Sequence, residues 1–179
     1  MFVLGLLLLV GGGARLLWTI TAFTVGHSVT LGLVTLGLLS YPVSLVEFAI
    51  ALSIFVLALD LVRSPQVGSN QHLSLFKRHP WWLAGGFGLL HGMGFAGALA
   101  DIGLPQSNVP LALLFFNIGI EVGQIAFLLL LLAGWWLFKQ ALAMSAVTVN
   151  RARLVLIPVY LLGGLSAMWC IERGIALVS

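Results

Sequence analysis

Long runs of apolar residues almost empty of charge constrain this chain more than any other feature. Only 7% of its 179 residues are Asp, Glu, Lys or Arg, and 61% are hydrophobic. A water-soluble domain carries roughly a quarter charged residues, so this chain could not cover its own surface in water. Six apolar segments can be drawn: residues 1–14, Leu16 to Leu39, Ser44 to Val62, Trp81 to Ala100, Leu111 to Phe138, and Leu154 to Ile171. A bilayer core of about 30 Å takes roughly 20 helical residues. The expected fold is therefore all-α: a polytopic transmembrane helix bundle of five full spans plus a short first helix, forming one domain over 1–179. The sixth segment is slightly short. The first is anomalous, because 14 residues rise only about 21 Å at 1.5 Å each.

The basic residues give a topology. With alternate loops on alternate sides, Arg15, Arg63, Lys77, Arg78, Lys139, Arg151 and Arg153 share one side, and Arg173 falls on the other. The positive-inside rule places the seven in the cytoplasm, with both termini outside. Trp18, Trp81, Trp82, Trp135 and Trp136 lie near span ends, where amphipathic rings anchor at the interface. The net charge of +3 and pI near 9.6 arise from these loops and need no nucleic-acid partner. The partners expected are the lipid bilayer and an ion, with self-association left open. Cys170 is the one cysteine, so an intrachain disulfide is excluded, and within an apolar helix it reads as packing.

Four ionisable side chains interrupt the apolar segments: His27, Glu47, His91 and Glu121. Such groups at bilayer depth cost several kcal/mol unless they face a cavity, a partner or a passing ion. Asn117, Glu121 and Gln124 are spaced i, i+4 and i+7 and so share one helix face. That stripe reads either as a line of oxygen ligands or as interhelical hydrogen bonding. His91 lies among glycines, with Gly88 and Gly92 at GxxxG spacing, which lets helices approach closely. Thr21, Thr24, Ser28 and Thr30 surround His27; their hydroxyls can bond carbonyls or orient the ring, as metal-site histidines require. Glu47 lies near the outer end of its segment, as a mouth ligand or an interfacial residue. His72 and His79 fall in the cytoplasmic loop without an expected site role, and Asp60, Asp101 and Glu172 lie near span ends. The order His, Glu, His, Glu along four successive segments hints at a parallel repeat.

Imidazole nitrogen combined with carboxylate and amide oxygen suits a borderline divalent metal such as nickel, cobalt or zinc better than magnesium or calcium. No thiolate accompanies these residues, and Met93 is the one thioether close to one of them, which argues against a dedicated copper(I) path. An intramembrane enzyme is less consistent: four histidines are few for a di-iron cluster, and neither Ser28 nor Ser53 stands in a GxSG motif. A third possibility is a non-transporting membrane accessory subunit whose buried polar residues hold helices or a partner together.

At these residues the chain resembles the HupE/UreJ family of bacterial membrane proteins. The matching stretches are TAFTVGHSVTLGLVTLG, SLVEFAIALSIFVLALD, GFGLLHGMGFAGAL and FNIGIEVGQIAFL, in order from Thr21 to Leu128. The resemblance implies a nickel or cobalt permease of the bacterial inner membrane, with no prosthetic group and the metal as cargo. It implies gradient-driven transport, and no Walker A motif contradicts that. His27, His91 and Glu121 carry over as polar-site members, with Glu47, Asn117 and Gln124 as weaker ones. The family also has a histidine and then an Asp-His pair on its first helix. MFVLGLLLL looks like the stretch directly C-terminal to that pair, so residues 1–14 are expected to be the remainder of a longer first helix.

Overall fold

A computed structural model describes residues 1–63, 79–102, 108–144 and 151–178. They form six helices: α1 (Phe2–Val10), α2 (Ala14–Thr35), α3 (Val43–Arg63), α4 (Pro80–Ile102), α5 (Val109–Met144) and α6 (Arg151–Val178). Among the described residues there is no strand. The breaks fall where backbone chemistry demands them. Gly11 and Gly13 turn α1 into α2 with φ of 79° and 86°, a region that costs residues with a Cβ. Gly37 ends α2 at φ 71°, where its N–H donates to the Val34 carbonyl (2.9 Å) and the Leu38 N–H to that of Leu33 (2.9 Å). This is a Schellman closure. Pro80 begins α4 at the position where a missing N–H costs nothing.

Among the described residues, four helical stretches are long and apolar enough to cross a bilayer: Ala14–Thr35, Val43–Val62, Val109–Met144 and Leu156–Val178. The expected fifth span, α4, has sufficient length at 23 residues and is rich in small residues, with six glycines, Trp81, Trp82 and His91 set among its aliphatic side chains. Its place explains that composition. It packs along α2 over the most extensive helix–helix interface among the described residues and also touches α3. α5 is longer than expected, and its 36 residues rise about 54 Å. It leaves Leu114, Phe115, Ile118, Val122, Leu129 and Leu130 exposed, as a lipid-facing helix does.

α1 spans 9 residues, too few to cross, yet it is a central wedge. Phe2, Leu6 and Leu9 are buried and share one apolar cluster with Leu16, Ile20 and Phe23 of α2, Ile54 and Leu57 of α3, Ala84 of α4, Leu128 of α5 and Leu162 of α6. The tightness is visible at Gly5, where a Cβ would stand 2.6 Å from Leu57 Cδ2.

The two histidine-bearing helices, α2 and α4, run parallel and meet backbone to backbone. A Cβ on Gly88 would strike the Phe23 carbonyl, one on Gly92 the His27 carbonyl and Thr30 Oγ1, and one on Gly26 the Gly85 carbonyl. Thr30 Oγ1 also donates to the Leu89 carbonyl at 2.6 Å. Glycine seams of this kind replace the hydrophobic effect, which lipid cannot supply between helices. The seam seats His27 and His91 beside the same ring, Phe23.

Candidate functional site

His27 is 4% exposed. The parallel α2–α4 contact encloses it, with Phe23 on one side (ring centroids 6.0 Å apart) and Phe95 on another (5.9 Å). Neither Nδ1 nor Nε2 has a protein hydrogen-bond partner. The hydroxyls near it in sequence do not orient its ring. Ser28 Oγ donates to the Thr24 carbonyl at 2.6 Å, and Thr30 bonds carbonyls. Thr21 and Thr24 turn to α5. Buried polar groups are paired in the great majority of cases, so an imidazole with two unpartnered nitrogens beside two aromatic rings is an exception to that rule.

His91 packs against the same Phe23 ring. Its ring lies 5.4 Å from Phe23 and 5.1 Å from Phe2, centroid to centroid. Its Nε2 is 3.2 Å from Ser53 Oγ, and Ser53 donates to the Ile50 carbonyl at 2.7 Å. Ser53 thus holds the ring from α3. Sequence pattern does not single out Ser53 as a site member; the one available signal is a serine six residues after Glu47 in an otherwise aliphatic run.

Glu47 and His91 line one cavity of about 320 Å³, together with Ile50, Phe95, Trp169 and Arg173. Glu47 Oε2 accepts a bond from Arg173 Nη1 at 3.0 Å, and both side chains stay about two-fifths exposed (38% and 43%). The cavity thus runs from a solvated ion pair at the α3 N-terminus to the imidazole beside Ser53. Arg173, in sequence only the basic residue opposite the other seven, is part of this wall. Tyr41, just before α3, donates to the Met93 carbonyl. Burial, and then the negative charge of Glu47, push its phenol above the ordinary value.

Asn117, Glu121 and Gln124 do form one stripe, and it faces α2. Thr21 Oγ1 donates to Glu121 Oε1 at 2.8 Å, and Thr24 Oγ1 to Gln124 Oε1 at 3.3 Å. Both bonds join side chains 100 positions apart in the chain. Asn117 Nδ2 folds back on the Leu113 carbonyl at 2.8 Å, which leaves its buried Oδ1 without a partner. The six predicted residues therefore occupy three stations: Glu47 with His91, His27 in its aromatic box, and the α5 stripe against α2. Among the described residues no three His, Cys, Asp or Glu side chains gather into a metal-binding group. His79 rests on Trp81, away from these stations, while His72 lies outside the described residues.

Among the described residues no nucleophile is held by a base, and the one Ser–His contact, Ser53 with His91, spends the serine proton on a carbonyl.

No curated protein and no solved structure matches this chain. The sequence pattern of the HupE/UreJ proteins matches it over residues 1–173, and that family is associated with nickel and cobalt transport. The chain is a member of the HupE/UreJ family of membrane proteins, a transporter-type family and not an enzymatic one.

Proposed function

We propose that this chain is a divalent transition-metal permease of the bacterial inner membrane, with nickel or cobalt as cargo. The observation that carries the reading is His27, a buried imidazole whose two nitrogens have no protein partner. The end bearing Arg15, Arg63 and Trp81 faces the cytoplasm, by the charge asymmetry of the loops. The Glu47 end then opens outward, and the C-terminus lies on the same outer side.

The cation enters the Glu47 cavity, where carboxylate oxygens replace part of its water shell. His91 offers a borderline nitrogen ligand at the inner end of that cavity. His27 comes next, against the same Phe23 ring, and the Glu121 stripe supplies oxygen next to α2. Imidazole favours nickel, cobalt and zinc over magnesium and calcium, so selection by ligand type falls at the histidines. Protons compete with metal for the same nitrogens and carboxylates, which offers a means of release.

Radioactive nickel uptake by cells expressing the chain tests this. The expected result is uptake above vector controls that falls to background in the His27→Ala, His91→Ala double variant. Unchanged uptake in that variant at equal membrane abundance would sink the proposal. A second reading, a non-transporting accessory subunit, is favoured by Glu121 and Gln124, which are engaged with Thr21 and Thr24 as packing residues would be. It predicts no nickel uptake from any variant.

A further inference from the structure

Arg173 occupies a position that the transport path itself does not explain. A cation pathway gains nothing by lining its mouth with a guanidinium, yet Arg173 shares the 320 Å³ cavity with Glu47 and His91 and holds Glu47 at 3.0 Å. The placement is structural. Gly174, the next residue, packs on Phe48, where a Cβ would stand 3.5 Å from Cε2. That contact keeps the α6 end in register with the start of α3. Trp169, one turn earlier on α6, lines the same cavity.

We infer that Arg173 is a specificity-determining residue: a tethered cation that occupies Glu47 at the cavity mouth and yields it to divalent but not to monovalent ions. This rests on the permease reading and adds a charge filter upstream of the histidines. Two physical facts carry it. Coulomb attraction scales with charge, so a divalent ion at the distance of the guanidinium is drawn to Glu47 twice as strongly. The guanidinium is also attached to the chain, and tethering gives a binding group an effective concentration on the order of millimolar or above. A sodium or potassium ion has no charge advantage over Arg173 and faces a competitor that never diffuses away. A divalent ion has that advantage. Because the pair is partly exposed, its net strength is modest, so the filter can open at each passage. Displaced from Glu47, the Arg173 head stays in solvent on its flexible stem.

The test is nickel uptake by the full chain, measured against nickel concentration with added sodium chloride or with choline chloride at equal ionic strength. Wild type is expected to respond equally to the two salts. In Arg173→Gln the half-saturating nickel concentration should fall about two- to fivefold, the span a partly exposed ion pair supports, and sodium should inhibit more than choline. Arg173→Lys keeps a tethered cation and should retain the equal response. An Arg173→Gln variant with unchanged or raised half-saturation and equal salt response overturns the inference while leaving transport intact. So does an Arg173→Lys variant that becomes sodium-sensitive, which decides the matter if Arg173→Gln does not reach the membrane. Absence of nickel uptake in wild type overturns the permease reading, and the inference with it.

Discussion

Replacing Gly92 by alanine probes the seam on which both histidines depend. The new Cβ would be driven into the His27 carbonyl and Thr30 Oγ1. The carbonyl is helix backbone and cannot swing aside, so α2 and α4 must separate. Overpacking of this kind costs roughly 1–3 kcal/mol, and a backbone obstacle belongs at the upper end. Separation also stretches the Thr30 bond to the Leu89 carbonyl; such bonds between membrane helices average about 0.6 kcal/mol. The better helix propensity of alanine returns about 1 kcal/mol. The net loss is therefore about 2 kcal/mol, or an apparent unfolding temperature lower by about 4–8 °C for a chain of this size. Gly86 is the control. It lies on the same helix with nothing within 4 Å of its Cβ position, so Gly86→Ala gains propensity alone and should be neutral or up to about 1 kcal/mol more stable. The assay is thermal unfolding of the purified protein in detergent, monitored by tryptophan fluorescence and by loss of the monodisperse peak. Equal stability of Gly92→Ala and wild type would refute the close backbone contact. Equal destabilisation by Gly86→Ala would show that any added methyl on α4 is harmful and that the seam is not the cause.

His27→Phe should keep or raise stability while abolishing nickel uptake, because it fills the same aromatic box and removes two buried nitrogens whose unmade bonds cost about 1–3 kcal/mol; a fall in melting temperature with uptake retained would reverse the assignment. Tyr41 has its phenol raised above 10.0, so its contribution is complete below pH 10 and is lost as pH climbs through the higher folded value. In an absorbance titration of phenolate, the signal that Tyr41→Phe removes should titrate above pH 10.0, and a lost signal at or below that value would contradict the burial of the phenol beside Glu47.

Much of this molecule is legible in the amino-acid order. Apolar length marks every long helix to within a few residues at most ends, because in lipid a helix is the form that pairs its own backbone groups. The i, i+4, i+7 spacing places Asn117, Glu121 and Gln124 on one inward face, since helical geometry alone sets that alignment. The glycines around His91 announce a close approach, and the approach is there. Beyond this point local pattern carries no information. Whether α1 is a peripheral stub or a central wedge depends on which helices surround it, and nine apolar residues read the same in either place. The pairing of Glu47 with Arg173 joins residues 126 positions apart, and the shared Phe23 wall joins His27 to His91 across two helices. Periodicity can say that His27 is buried. Only the packing of α4 along α2 decides that both of its ring nitrogens are left without a partner, because that depends on which neighbours the close glycine contact admits and which it shuts out.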